Sequence, residues 1–208
     1  MRKMLLLGFG VFAAGAAQAQ TDHATIITNE QVQAVLKSGN ATDRTLQVFD
    51  MGGYQMSVAV VHRGATAAGA ASQGNATAPA AQAPGRCGLG APPAGAAAGQ
   101  RGMISHSDTV ETYIVTSGGG TLVTGGQIVN GTPSAPGSDV TRVLNGPSCS
   151  GQVYGTTVSR EMKVGDIAVI PAGVAHGWTA IASEVTYLSV RPDPKKVLQP
   201  GYIHPALK

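Results

Sequence analysis

Beyond residue 45, apolar and polar side chains alternate in short runs separated by Gly, Pro and Asn. That period-two pattern predicts strands over 46–50, 54–63, 103–106, 111–116, 121–124, 127–129, 154–158, 167–170, 176–181 and 185–190. Gly52-Gly53 reads as the turn between the first two, and Gly125-Gly126 as a two-residue hairpin turn. A helical period occurs near the start, where Val32, Val35 and Leu36 form a narrow apolar stripe over 29–37. Thr28 can cap that helix with Gln31 in the capping-box position, Ile27 and Val32 sit where a hydrophobic staple would, and Gly39 ends it. The expectation is an all-β domain with one short helix packed on its outside. A polar excursion at 131–154 reads as a loop at the rim, and the Pro-punctuated chain from Arg191 onward as a tail wrapping the outside.

Two stretches break the pattern. Arg2 and Lys3 precede an apolar run from Met4 to Ala17, and Ala17-Gln18-Ala19 offers small residues at a cleavage position. Residues 1–19 therefore read as a signal peptide, too short to span a bilayer comfortably, with export to a periplasm or beyond the cell and no membrane attachment after cleavage. Residues 64–101 are dominated by Ala, Gly and Pro, with Leu89 their one large aliphatic. Such a segment buries too little apolar surface to offset its ordering entropy, so a disordered insertion at one mouth of the domain is expected. The organisation is then a leader at 1–19, a helical arm at 20–45, a barrel at 46–195 carrying the insertion at 64–101, and a tail at 196–208.

Charge adds little. Lys and Arg number 14 against 11 Asp and Glu, but Arg2 and Lys3 leave with the leader, so the net charge falls from +3 to +1. No basic cluster interleaved with aromatics remains, which excludes a nucleic-acid surface. Phe9 and Phe12 also leave with the leader. The core is thus expected to rest on Val, Ile, Leu and Ala, in a small barrel with an open interior rather than a densely aromatic sandwich. Two cysteines in an exported chain predict a Cys87–Cys149 disulfide, with free or intermolecular thiols as the alternative.

The candidate chemistry lies in two stretches. Gly165, Pro171, Gly173 and His176 stand in the order Gly-x5-Pro-x-Gly-x2-His, a strand, a tight turn and a second strand carrying His176 and Trp178 on one face. Upstream, His106, Glu111 and Gly118 follow the spacing His-x4-Glu-x6-Gly. These two patterns resemble the second and first motifs of the cupin superfamily, and the chain is similar to its small secreted single-domain members. Two positions depart from that pattern. The first histidine of the family's pair is Ile104 here, and the asparagine four residues past the second-motif histidine is Ala180.

The resemblance implies a double-stranded β-helix (jelly-roll) barrel, commonly a homodimer, with a divalent metal held by His106, Glu111 and His176. Two imidazoles and a carboxylate suit Fe or Mn, with Ni and Zn as alternatives. Ile104, Tyr113 and Trp178 would shape the pocket. His62 is a candidate to replace the missing ligand, with a rim histidine as the alternative. In a competing register His106 and Asp108 take the places of the pair. The functional expectation is an exported metal-dependent oxidoreductase, dioxygenase-like, acting on a small organic molecule. The rival is a non-catalytic small-ligand module whose metal is structural or absent.

Overall fold

The computed structural model describes residues 23–67, 70 and 85–208. The expected leader, and residues 68–69 and 71–84 of the expected disordered insertion, lie outside the described residues. Helix α1 (Asn29–Lys37) opens on the Thr28–Gln31 capping box, with both reciprocal hydrogen bonds formed. Ser38, not Gly39, caps its C-terminus, its N–H and hydroxyl both donating to the Val35 carbonyl. Val35 is fully buried against Leu46 and Val60, so the helix covers the outside of the barrel.

Eight strands follow among the described residues: β1 (Asp43–Asp50), β2 (Gln55–Gly64), β3 (Met103–His106), β4 (Glu111–Pro133), β5 (Ser148–Lys163), β6 (Ile167–Ile170), β7 (His176–Thr179) and β8 (Glu184–Asp193). All their pairings are antiparallel. One sheet runs β1-β2-β8-β4-β6, and the other joins β4, β5, β3 and β7. Strand β4 belongs to both. Its first part pairs with β6 and β8, its later part with β5 and β7. The crossing occurs at a bulge between Val115 and Ser117, followed by Gly118 at φ +63°. A Cβ there would stand 2.0 Å from the Glu184 carbonyl oxygen, so only glycine allows the strand to bend. The pairing of Ile104 with His176 joins β3 to β7 and closes the barrel.

Several expectations change. Gly125-Gly126 is not a hairpin turn but a second bulge inside the continuous β4, where the register with β5 slips between Gly125 and Gln127. Both glycines have positive φ, which a hairpin turn and a bulge each use, so the dipeptide alone does not distinguish them. The polar excursion is shorter than expected, because β4 runs to Pro133 and β5 starts at Ser148, with a π-helical turn (Val140–Leu144) between them. The interior is aromatic after all. Tyr113 and Tyr187 lie 4.3 Å apart by ring centroids and Trp178 and Tyr187 5.3 Å, inside a cluster that includes Val61, Leu122 and Ile181.

The second half of the insertion is ordered. Leu89 donates its N–H to Ile128 and Gly99 to Val153, while Cys87 and Gly131 exchange both backbone bonds. Cys87 and Cys149 form a disulfide. Residues 85–101 thus make a strap laid on β4 and β5, held by backbone bonds and one covalent link rather than by apolar burial. Composition reports burial capacity and is silent about such links.

The tail divides. The Tyr202 carbonyl accepts from the Val48 N–H, and the His204 N–H donates to the Leu46 carbonyl along β1, as a wrapping tail should. Arg191, Pro192 and Asp193 instead continue β8 inside the barrel. The Pro192 carbonyl points toward Val110, just before β4 begins, so the missing N–H of Pro192 falls where that ladder has ended.

Candidate metal centre

Three elements converge on one point of the barrel interior. His106 closes β3, Glu111 opens β4 and His176 opens β7. His176 pairs with Ile104, and Ile104 is two residues from His106, so all three side chains share the inward face. The Pro171-Ala172-Gly173 turn sets the approach of β7. Val174 donates to the Pro171 carbonyl at 3.1 Å, and Gly173 takes φ +83°. Gly173 also donates its N–H to the His106 carbonyl at 2.7 Å, so the second motif grips the strand that carries the first. His106 and Glu111 are close in sequence but do not sit on paired strands. Residues 107–110 carry the chain from one sheet to the other, and the two side chains meet across the interior.

Nε2 of His176 stands 2.9 Å and Nε2 of His106 3.3 Å from the same carboxylate oxygen, Oε2 of Glu111. One ligand atom from each of the three residues lies within 4.8 Å of the others. All three side chains are at most 2% exposed as residues. The imidazoles are oriented from behind. His176 Nδ1 lies 3.0 Å from the Val174 carbonyl, which can only accept, so Nδ1 carries a proton and Nε2 is turned toward Glu111. Despite its short distance to Glu111, this Nε2 has no hydrogen-bond partner, because the contact lacks the alignment of a bond. Burial pushes His106 below the usual imidazole range, and the Glu111 charge restores only part of this.

Glu111 is held from its other side. Arg191 Nε donates to Oε1 at 2.8 Å and Ser189 Oγ reaches the same oxygen at 3.3 Å. Arg191 also donates to Asp43 Oδ2 at 2.5 Å and to the Leu144 carbonyl at 3.1 Å. Burial would raise the Glu111 carboxyl, but the neighbouring His106 imidazole and the Arg191 guanidinium outweigh it and hold the group well below the usual carboxylate range. Tyr113 donates its hydroxyl to Oε2 at 2.8 Å. Burial and the adjacent Glu111 charge push this phenol well above its ordinary range, so it stays a neutral donor.

One carboxylate oxygen and two imidazole nitrogens therefore face one another in a buried site. A cation satisfies that arrangement, and two His plus one carboxylate is a donor set for borderline divalent metals. His106, Glu111 and His176 fit a metal ion.

The other candidates fall on either side of this point. Ile104 is buried on the inward face beside His176, where a fourth ligand would stand. Tyr113 and Trp178 line the interior next to the cluster. His62 does not replace the missing ligand. It faces the outer surface with Val58 and Val60, bonding Thr186 Oγ1 at 2.9 Å and lying 3.8 Å from Glu184. Asp108 is paired with Lys195 outside the cluster, so the competing register does not hold.

Arg191, Asp43 and Ser148 were missed by sequence reasoning. The alternation Val185, Tyr187, Ser189 already pointed to an inward Arg191, but Pro192 argued for a strand end. Ala180, at the family's asparagine position, adopts φ +50°, a left-handed conformation that asparagine tolerates better than alanine.

No protein-family model matches the chain, and no curated protein matches it. Among solved structures it is similar to an uncharacterized conserved protein with a double-stranded β-helix domain from Klebsiella pneumoniae, at 15% identity and TM-score 0.38, covering 83% of this chain and 93% of that one. A cupin-2 domain containing protein from Shewanella frigidimarina is similar at 16% identity and TM-score 0.35, over 80% and 94% of the two chains. An oxalate oxidase in complex with glycolate is similar at 14% identity and TM-score 0.35, over 78% and 58%. These likenesses concern fold, and no activity follows from them.

Proposed function

We propose that this cupin barrel, a double-stranded β-helix, is an exported protein that binds one divalent metal ion through His106, Glu111 and His176 and acts as an oxidoreductase on a small organic molecule. The observation that carries the reading is the convergence of His176 Nε2 and His106 Nε2, at 2.9 Å and 3.3 Å, on one oxygen of the buried Glu111. Iron or manganese held there would supply Lewis acidity and one-electron redox chemistry at positions the protein leaves open, with nickel and zinc as alternatives.

The chain's own residues would do the rest. Arg191 occupies Oε1 of Glu111, so only Oε2 is presented to the ion. Tyr113 keeps a proton on that oxygen's flank. Ile104 fills the fourth ligand slot with an apolar side chain and leaves a coordination position unclaimed. Trp178 and Tyr187 close the far side and exclude water. Export rests on the leader, and a homodimer on the resemblance alone.

The near-complete burial of all three side chains favours a second reading, a small-ligand module whose metal is structural. Elemental analysis of protein taken from its natural compartment tests the first claim, and near-stoichiometric iron or manganese is expected. A protein that is metal-free as isolated and takes up no iron, manganese, nickel or zinc on reconstitution would overturn it. Oxygen uptake by the iron-loaded protein with candidate small acids and phenols separates enzyme from module.

Ile104 provides an independent check on the site. It pairs with His176 and stands two residues before His106, which puts it on the strand face that carries both histidines. Ile104→His is expected to tighten metal binding at least several-fold, while Asp108→Ala leaves affinity unchanged. Isothermal titration of both variants measures this, and unchanged affinity for Ile104→His would place position 104 out of reach.

A further inference from the structure

Ser148 opens β5 directly opposite His106 in the β3–β5 ladder. Its Oγ lies 2.8 Å from His106 Nδ1 and, on its other side, 2.8 Å from the Gly146 carbonyl. A hydroxyl has one proton, and a carbonyl can only accept. The Ser148 proton is therefore committed to Gly146, and Oγ can only accept from His106. Nδ1 must then carry a ring proton, and Nε2 is the nitrogen turned toward Glu111. Ser148 is 6% exposed, so bulk water does not compete for either bond.

The backbone of Ser148 is itself fixed. Its N–H donates to Ser134 Oγ at 3.0 Å, and its carbonyl accepts from the Ser134 N–H at 2.8 Å. The next residue, Cys149, is bonded to Cys87, and Cys87 exchanges both of its backbone bonds with Gly131 on β4. A covalent strap thus ends one residue from the hydroxyl that sets the His106 tautomer. His176 has no comparable side-chain support, because its Nδ1 partner is the backbone carbonyl of Val174.

We propose that Ser148 is a positioning residue that locks His106 in the Nδ1-protonated tautomer required for metal binding, and that the Cys87–Cys149 disulfide holds Ser148 in place. The proposal rests on the metal-binding reading of His106, Glu111 and His176. Losing a hydrogen-bond partner behind a metal-ligating histidine weakens metal affinity by roughly 10- to 100-fold. The same loss, about ten-fold or more, is expected for Ser148→Ala, and Ser148→Thr, which keeps the hydroxyl, restores most of it. Reduction of the disulfide should weaken binding in the parent and add little in Ser148→Ala, because both changes act through the same bond.

The experiment measures Mn(II) and Zn(II) affinity by competition with a chelator for the parent, Ser148→Ala and Ser148→Thr, each oxidised and reduced. Nitrogen-15 NMR of the metal-free proteins reports the His106 tautomer directly. A parent that is Nδ1-protonated and a Ser148→Ala variant with mixed tautomers and weaker binding support the proposal. Equal affinity and an unchanged tautomer in Ser148→Ala overturn it. A disulfide effect of the same size in parent and Ser148→Ala removes the role of the strap. A parent that shows the tautomer lock but binds neither ion overturns the metal reading and leaves the Ser148–His106 relation standing. Thermal unfolding of the metal-free variants, expected to stay close to the parent, excludes a general loss of structure.

Discussion

His176→Ala is expected to strip the barrel of metal and leave it folded. The substitution removes one of three ligands, and no neighbouring side chain is placed to replace it, since Ile104 is apolar and Tyr113 is already committed to Glu111. Two remaining ligands make a poor site, so bound metal should fall at least ten-fold, well beyond the loss of an outer hydrogen bond. The fold should survive because β7 is placed by backbone features. The Pro171–Gly173 turn, the Gly173–His106 bond and the pairing of His176 with Thr124 all involve main chain alone. A buried imbalance remains modest, because Glu111 keeps Arg191, Ser189 and Tyr113 as donors. Circular dichroism and metal analysis on the same sample decide the matter. Parent-like metal content in the variant would remove His176 from the site, and an unfolded variant would show that the imidazole is a core element first.

Arg191→Met should be the most damaging single change in the barrel to stability. Arg191 is 1% exposed and stands between two carboxylates, Glu111 and Asp43, with its third donor direction used by the Leu144 carbonyl. Both carboxylates raise its pKa further against the opposing effect of burial, so it is a permanent cation. Methionine matches much of its volume and removes all of its charge, leaving the buried Glu111 and Asp43 without the cation they share. Breaking a buried ion pair in this way costs about 3–5 kcal/mol. A loss of that order is expected in urea unfolding of the metal-free protein, where no cation can substitute at Glu111. A loss below about 1 kcal/mol would place the triad in the class of solvent-screened pairs and contradict its burial. Acid should act in the same direction. The folded-state pKa of Glu111 is depressed, so its contribution is present above the ordinary carboxylate range and is lost as pH falls through the folded value.

The barrel was legible where local chemistry suffices. The capping box at Thr28 and Gln31, the Pro171–Gly173 turn and the strands Met103–His106 and Ile167–Ile170 depend on residues within a few positions of each other. His106, Glu111 and His176 could be named together because the spacings Gly-x5-Pro-x-Gly-x2-His and His-x4-Glu-x6-Gly resemble the two cupin motifs. Their convergence to 4.8 Å could not be read in the same way, because it depends on which strands pair.

Each error came from a residue whose meaning is settled by a distant partner. Gly125-Gly126 carries one local signal for two outcomes, and β5, lying alongside, selects the bulge. Residues 85–101 have the composition of a disordered segment, and a disulfide to Cys149 with backbone bonds to β4 and β5 orders them. Arg191 looked like the start of a tail because Pro192 follows it, and the end of β4 beside Pro192 is what makes the proline harmless.

Local propensity, turn chemistry and alternation, all written in adjacent residues, determined the strands and which neighbouring side chains share a face, and the two motifs marked His106, Glu111 and His176 through their resemblance to a known family. The tertiary structure alone decided that Arg191, Asp43 and Ser148 surround those residues, since burying a charge or fixing a tautomer requires partners brought from 42 to 148 positions away.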